Sequence, residues 1–318
     1  MNIGVPQGSV LGPILFLIYF NSLLTQKFRG KLVAFADDIA FIYSDSSNTQ
    51  IANYINYDLT LLSNWFYNHC LILSDKTKLM HFRKASSNIT DSNYICHFPE
   101  CHQHSSSCSN KCVPIDFVES FKYLGLTLDS NLNWKHHCLN IKNHINMLVS
   151  RFYLLRTLIP ADILNLVYFA LVQSKLSYGL PFWGGTYENT LQPIAVRQNF
   201  VIKTMCFKKK SDSSWILYRN KKILPLKHLY VFRVLKMFFS KSGNRLTKVL
   251  KKYDLRDNNL CYIPKFNLTL LQKSFLVSAP KLFNKLPNTI KCNNNINSFL
   301  KVLKEFLFTN SDINILFK

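Results

Sequence analysis

No apolar stretch of this chain is long enough to cross a bilayer; the longest, Val10–Phe20, is interrupted by Gly12 and Pro13. No positively charged segment precedes it, so no secretory signal is legible. Without that signal, an odd count of nine cysteines does not read as a disulfide framework. The expectation is reduced thiols in an intracellular setting, nucleus or cytoplasm, with no membrane partner. Internal repeats are absent, which sets aside solenoid architectures. Acid is scarce as well: 17 Asp and Glu stand against 39 Lys and Arg, a formal net charge of +22. A hydrophobic content of 48% nevertheless argues against wholesale disorder, and 318 residues suffice for two or three domains with a sizeable core.

The missing acid is missing from one part only. Residues 1–100 carry seven basic and seven acidic residues, whereas 101–318 carry 32 and ten. The stretch 197–256 alone holds seventeen basic and two acidic residues. A chain that handles nucleic acid would be divided in this way, with a balanced part around catalytic acids and a basic part that tracks phosphates. A generic basic surface, facing anionic membrane for instance, is the competing reading.

Two strings carry the chemistry. FADD at Phe35–Asp38 sets Asp37 and Asp38 between the apolar runs LVAFA and IAFIY, which reads as a tight hairpin with both acids at its tip. Two carboxylates 4 Å apart repel by roughly 4 kcal/mol at an effective dielectric near 20. A divalent Mg²⁺ would offset this, since hard cations take carboxylate oxygens. Paired Asp can also be an ordinary turn, but two-residue hairpin turns favour Gly or Asn, so Asp-Asp is a strained choice and strain gathers at working sites. The flanks are too apolar for an exposed ribbon, so the tip is expected to emerge from a buried sheet. The second string, GVPQGSVLGP at Gly4–Pro13, lies about thirty residues upstream.

Together these strings resemble the reverse transcriptases of non-LTR retrotransposons of the jockey-like kind, in their C-terminal part. The resemblance continues through NWFYNHCLILSDKTKLMHF (Asn64–Phe82) and FKYLGLTLDSNLNWKHH (Phe121–His137), and returns at APKLFNKLPNTIK (Ala279–Lys291). It implies an α+β fold: a partial polymerase palm over 1–130 with a Cys/His-rich insertion at 84–114, a helical thumb over 131–210 and a basic C-terminal region over 211–318. It further implies RNA-directed DNA synthesis from an RNA template, a DNA primer and deoxynucleoside triphosphates, with two Mg²⁺ ions clamping the attacking and leaving oxygens. Asp37 would be the firmer metal ligand and Asp38 the looser one near the primer end. Gln7 would contact the nucleotide, donating and accepting hydrogen bonds without repelling a triphosphate, and Gly8 would leave it room. Lys76 matches a lysine that would protonate the leaving pyrophosphate, with neighbouring Lys78 leaving the register open.

One departure stands out. The family's first catalytic aspartate, its steric gate and its fingers lie upstream of GVPQGS, as does the endonuclease, and this chain begins three residues before that motif. The expectation is a polypeptide that is inactive alone. The alternative is a catalytically dead nucleic-acid-binding remnant or co-opted protein.

Periodicity fills in the rest. Pro13 opens a helix, PILFLIYFNSLL, apolar almost all round and therefore expected behind the palm sheet. The hairpin spans roughly Leu32–Tyr43, and Ile51, Ile55, Leu59, Leu62 and Phe66 mark an amphipathic helix. Strands are expected at Cys70–Leu73, Lys78–Phe82 and, as a pair turning at Gly125, within Val118–Leu128. From Leu139 onward the pattern is helical, with Ile141, Ile145, Leu148, Phe152 and Leu155 on one stripe. Further helices are expected at Ala161–Ser174, Leu191–Phe207, Leu226–Ser240 and Asn297–Phe308. In the Leu226 helix the stripe of Leu226, Tyr230, Val234 and Met237 assigns most aromatics to core. Lys208, Lys209, Lys210, Lys221 and Lys222 are then the candidates for binding phosphate. In the insertion, Cys96, Cys101, Cys108 and Cys112 alternate with His97, His102 and His104. Their spacings depart from the tight C-x2-C pairs of familiar zinc sites, so reduced thiols are preferred here over a four-cysteine Zn²⁺ knuckle.

Overall fold

The computed structural model describes residues 8–82, 94–97, 99, 101, 112–242, 260–293 and 295–317. They fall into two compact units, Met1–Gly125 and Leu126–Lys318. The whole is a mixed helix-and-strand protein, rich in helix with small sheets.

In the first unit, helix α1 (Gly12–Leu24) leads into an antiparallel hairpin of β1 (Lys31–Phe35) and β2 (Asp38–Ile42). Helix α2 (Asn48–Asn68) follows. Phe20 and Leu23 of α1 pack on Leu62 and Trp65 of α2, with Leu32, Ile39 and Phe41 of the hairpin against them. Trp65 Nε1 donates to Ser22 Oγ at 3.0 Å, and His69, stacked on Trp65, brings Nε2 to 3.2 Å from the same oxygen, tying the two helices at one end. The predicted stripe on α2 is correct: Ile55 and Leu62 are buried, and Ile51, Leu59 and Phe66 line the same side.

The expectation of a buried first helix is corrected. Only Phe20 and Leu23 of α1 are buried, while Ile14, Leu17 and Ile18 are 53%, 63% and 67% exposed. A two-stranded ribbon and one helix present too little apolar surface to cover a helix that is greasy on every side. The ribbon is likewise not part of a buried sheet, since Val33, Phe35 and Ile42 are exposed. Cys70–Leu73 is not a strand: Cys70 takes a positive φ of 53° to end α2, and Ile72 is 87% exposed. Strand β3 is shorter than expected, Lys78–Leu79, and pairs in parallel with β5 (Val113–Phe117). Strand β4 (Tyr94–Cys96) pairs antiparallel with β5 on its other side. Tyr94, Cys96 and Ile115 close over Ile55 of α2 as a second small core. The unit ends in β6 (Ser120–Tyr123), and Leu124 and Gly125 carry the positive φ values, 46° and 80°, that the predicted turn requires.

The second unit opens with β7 (Leu126–Asp129) and is otherwise helical among the described residues. Asp129 is buried and accepts from the backbone N–H groups of Asn133 (3.0 Å) and Trp134 (2.8 Å), fixing the entry to α3 (Lys135–Leu158). Ile141, Ile145, Leu148 and Phe152 of the predicted α3 stripe are buried against α7 (Glu188–Met205), and Leu155 is half-buried against the same core. Between them run α4 (Ala161–Tyr168), a π-helical stretch at Phe169–Gln173, and two single turns, α5 (Ser174–Ser177) and α6 (Leu180–Trp183). After the short α8 (Trp215–Asn220), helix α9 (Leu226–Ser242) runs through the core, with Leu226, Tyr230 and Val234 of the predicted stripe buried and Met237 half-buried. Helices Phe275–Asn284 and Ile296–Thr309 pack on it.

Candidate functional site

The acidic hairpin is built from its base upward. Asp58 is buried on α2, at a position where the apolar stripe would call for a hydrophobe. Its carboxylate accepts from the backbone N–H groups of Arg29 and Gly30, both at 2.8 Å, and from the Tyr43 hydroxyl at 3.0 Å. Arg29 and Gly30 lead into β1, and Tyr43 follows β2, so one side chain holds both ends of the ribbon. Burial, with Asp58 beside it, pushes the Tyr43 phenol far up, so it stays a donor. Gly30 has no room for a side chain, because a Cβ there would lie 2.5 Å from the Tyr43 ring. Motif and periodicity do not single these residues out, yet a signal exists: an aspartate three after Ile55 and four before Leu62 on a buried helix face requires donors.

At the tip, the register pairs Phe35 with Asp38, so the two turn residues are Ala36 and Asp37. Only one acid is at the tip; Asp38 is the first residue of β2. The strain expected of Asp-Asp falls on Ala36, whose φ is 52°. Alternation places Leu32, Ile39 and Phe41 toward the helices, and Asp38 on the outer face with Val33, Phe35 and Ile42. Asp37 and Asp38 are both exposed, and among the described residues neither forms an ion pair with Lys, Arg or His. The Tyr123 phenol is pushed up by burial and then by the charge of Asp38, which sets the tyrosine beside the second acid. Its hydroxyl is buried without a hydrogen-bond partner among the described residues.

Gly8 is exposed at a φ of 85°, with open space where a Cβ would be. Gln7 lies outside the described residues. Lys76 is exposed in the turn after α2, its backbone N–H donating to Ser74 Oγ at 3.2 Å. No ion pair or hydrogen bond joins it to Asp37 or Asp38 among the described residues. Lys78 is committed elsewhere, paired with Asp116 at 2.7 Å, which leaves Lys76 as the available ammonium of the two.

In the second unit, Lys208, Lys209 and Lys210 are exposed just past α7, with Lys222 exposed and Lys221 half-buried after α8. Burial raises the Cys206 thiol while Lys221 and Lys208 oppose it, which places both ammonium groups near that sulfur. Among the described residues none of the five lysines is ion-paired.

The insertion holds a third cluster. His97, Cys101 and Cys112 present nitrogen and sulfur atoms all within 4.8 Å of one another. The four-cysteine set is corrected: Cys96 is buried in the small core, its Sγ directed at the Leu59 carbonyl oxygen, and His97 takes its place. Cys108, His102 and His104 lie outside the described residues.

Residues 2–128 match the family described as reverse transcriptase (RNA-dependent DNA polymerase). The chain is 23% identical over 252 residues to a probable RNA-directed DNA polymerase from transposon X-element of Drosophila melanogaster, covering 77% of this chain and 26% of that protein. It is 26% identical over 270 residues to the RNA-directed DNA polymerase from mobile element jockey of the same organism, covering 80% and 26%. A third relative, from transposon BS, is 25% identical over 221 residues. These alignments run well past the family match and into the second unit. The chain spans about a quarter of the length of the curated relatives it matches. No solved structure matches it. Residues 2–128 are thus similar to reverse transcriptases, and most of the chain is similar to RNA-directed DNA polymerases of transposons and mobile elements.

Proposed function

We propose that the hairpin carrying Asp37 and Asp38 is the Mg²⁺-holding element of an RNA-directed DNA polymerase, and that the second unit carries thumb-like and phosphate-binding surfaces of its own. The observation that carries this reading is the pair of unneutralised carboxylates on a ribbon clamped at its base by Asp58. Such a ribbon holds metal ligands in place while leaving them open to a cation. Asp37 would bind the ion more tightly and Asp38 would face the primer end. Gln7 and Gly8 would meet the incoming deoxynucleotide, and Lys76 would give its proton to the departing pyrophosphate. RNA template and DNA primer would lie along the lysines around Cys206. Magnesium, when bound, would stabilise charge on the attacking 3′-oxygen and the leaving phosphate oxygens.

The test uses the polypeptide translated from the intact reading frame, given an RNA template, a DNA primer, deoxynucleotides and Mg²⁺. Extension that is abolished by Asp37→Asn supports the reading. Extension unaffected by Asp37→Asn, or no extension by the intact polypeptide, would reject it.

A further inference from the structure

Within the Cys/His insertion, residues 97–112 connect β4 to β5, and the ladder between these strands determines what comes together at the neck of that connection. The pairs are Tyr94 with Ile115, Ile95 with Pro114 and Cys96 with Val113. One step further along that register, His97 faces Cys112, and directly opposed residues share a face with Cβ atoms about 5 Å apart. Alternation turns Cys96 and Val113 toward Ile55 and the small core, and so turns His97 and Cys112 to the other side. Cys101 then returns to the same place, four residues beyond His97. All three are half-buried, neither sealed in apolar packing nor fully in water.

We propose that His97, Cys101 and Cys112 form a zinc site that closes the neck of this insertion. One imidazole and two thiols are the donor set that Zn²⁺ favours, and no carboxylate is among them to invite Mg²⁺ or Ca²⁺. In a tetrahedral site with Zn–S bonds near 2.3 Å, ligand atoms stand about 3.8 Å apart. The cluster, within 4.8 Å, needs to contract by about 1 Å at most to reach that spacing. Water would serve as a fourth ligand, as it does in zinc sites with three protein ligands. The ion would cross-link the ends of a long insertion where they enter the sheet. It would hold β4 and β5 together where only three residue pairs of ladder do so. The site is distinct from the acidic hairpin in ligand chemistry and in the cation it selects.

The full chain, purified under reducing conditions without added metal, should retain about one equivalent of zinc by mass spectrometry of the elements. Replacing zinc with Co²⁺ should produce thiolate-to-cobalt charge-transfer absorption in the near ultraviolet together with tetrahedral d–d bands. Cys101→Ser and Cys112→Ser should each lower zinc retention by about tenfold or more, while Cys292→Ser, an exposed cysteine of the second unit, should leave it unchanged. The cobalt spectrum of the unmodified chain decides the matter even where a variant fails to fold. No retained zinc together with no charge-transfer band would overturn the proposal. So would a Cys101–Cys112 disulfide found by peptide mapping of the chain kept reduced throughout its preparation.

Discussion

Asp58 Oδ2 lies 3.0 Å from the Tyr43 hydroxyl and 2.8 Å from the Gly30 backbone nitrogen, so a single buried carboxylate joins the beginning and the end of the acidic hairpin. The site depends on this clamp without containing it. Removing it leaves two backbone N–H groups and a phenol without their acceptor. Asp58→Ala should therefore destabilise the first unit by about 3–5 kcal/mol. Gly30→Ala should cost about 1–3 kcal/mol by forcing the Tyr43 ring off Asp58. Urea unfolding followed by the fluorescence of Trp65 measures both. Values below about 0.5 kcal/mol would show that the clamp does not hold the ribbon.

Ala36 carries the strain of the turn. Glycine there removes the Cβ penalty of a positive φ at some cost in unfolded-chain entropy, so Ala36→Gly should gain about 0.5–1 kcal/mol. Ala36→Val should lose at least about 1 kcal/mol, a β-branched residue being the worst fit to that backbone. Paired denaturation curves test the difference, and equal stabilities would mean the turn is not strained at this residue.

How far the chain explains itself differs between these two residues. FADD and GVPQGS carry the resemblance, and helical stripes announce α2, α3 and α9, because a period of 3.6 survives in any long amphipathic segment. Ala36 as the strained residue is not legible, since a two-residue turn can shift by one position without altering its flanks. Asp58 is hidden in plain view, one polar residue on an otherwise apolar face. The exposed apolar side of α1 misleads for the opposite reason: hydrophobicity reports what a helix could bury, not what is there to cover it. Cys96 and His97 exchange roles because strand alternation, invisible in spacing alone, decides which of two neighbours faces the core.

The loops after α7 and α8 predict a salt-dependent surface. Reversing Lys208, Lys209, Lys210, Lys221 and Lys222 to Glu should weaken binding to an RNA–DNA hybrid. It should also flatten the slope of log affinity against log salt by about 0.9 for each phosphate that the lysines no longer neutralise. Fluorescence anisotropy at several salt concentrations reads the slope, and circular dichroism checks the fold. An unchanged slope would remove these lysines from the interface.

His137 makes the second unit acid-sensitive. It is buried, its Nδ1 accepts from the Thr127 backbone N–H at 3.2 Å, and its ring meets Trp183 edge-on at 5.5 Å. Burial, with the charge of Lys175 adding to it, pushes the imidazole down from its ordinary 6.5 to about 4. Between those values the unfolded chain takes up a proton that the folded chain refuses. Stability that is complete above pH 6.5 should therefore decline as the pH falls toward 4. His137→Gln should reduce that decline, leaving the part due to His228, which burial also lowers. Thermal midpoints measured across this range test it; identical pH profiles for the two proteins would refute it.

The central claim, that Asp37 and Asp38 are metal ligands, is tested most directly by Mn²⁺ titration of the chain in the presence of an RNA–DNA primer-template and a deoxynucleotide. Electron paramagnetic resonance follows the loss of the free-ion signal. Binding that weakens about tenfold or more in Asp37→Asn, and less in Asp38→Asn, is the predicted result. Equal Mn²⁺ binding by the unmodified chain and by the double variant Asp37→Asn, Asp38→Asn would contradict it.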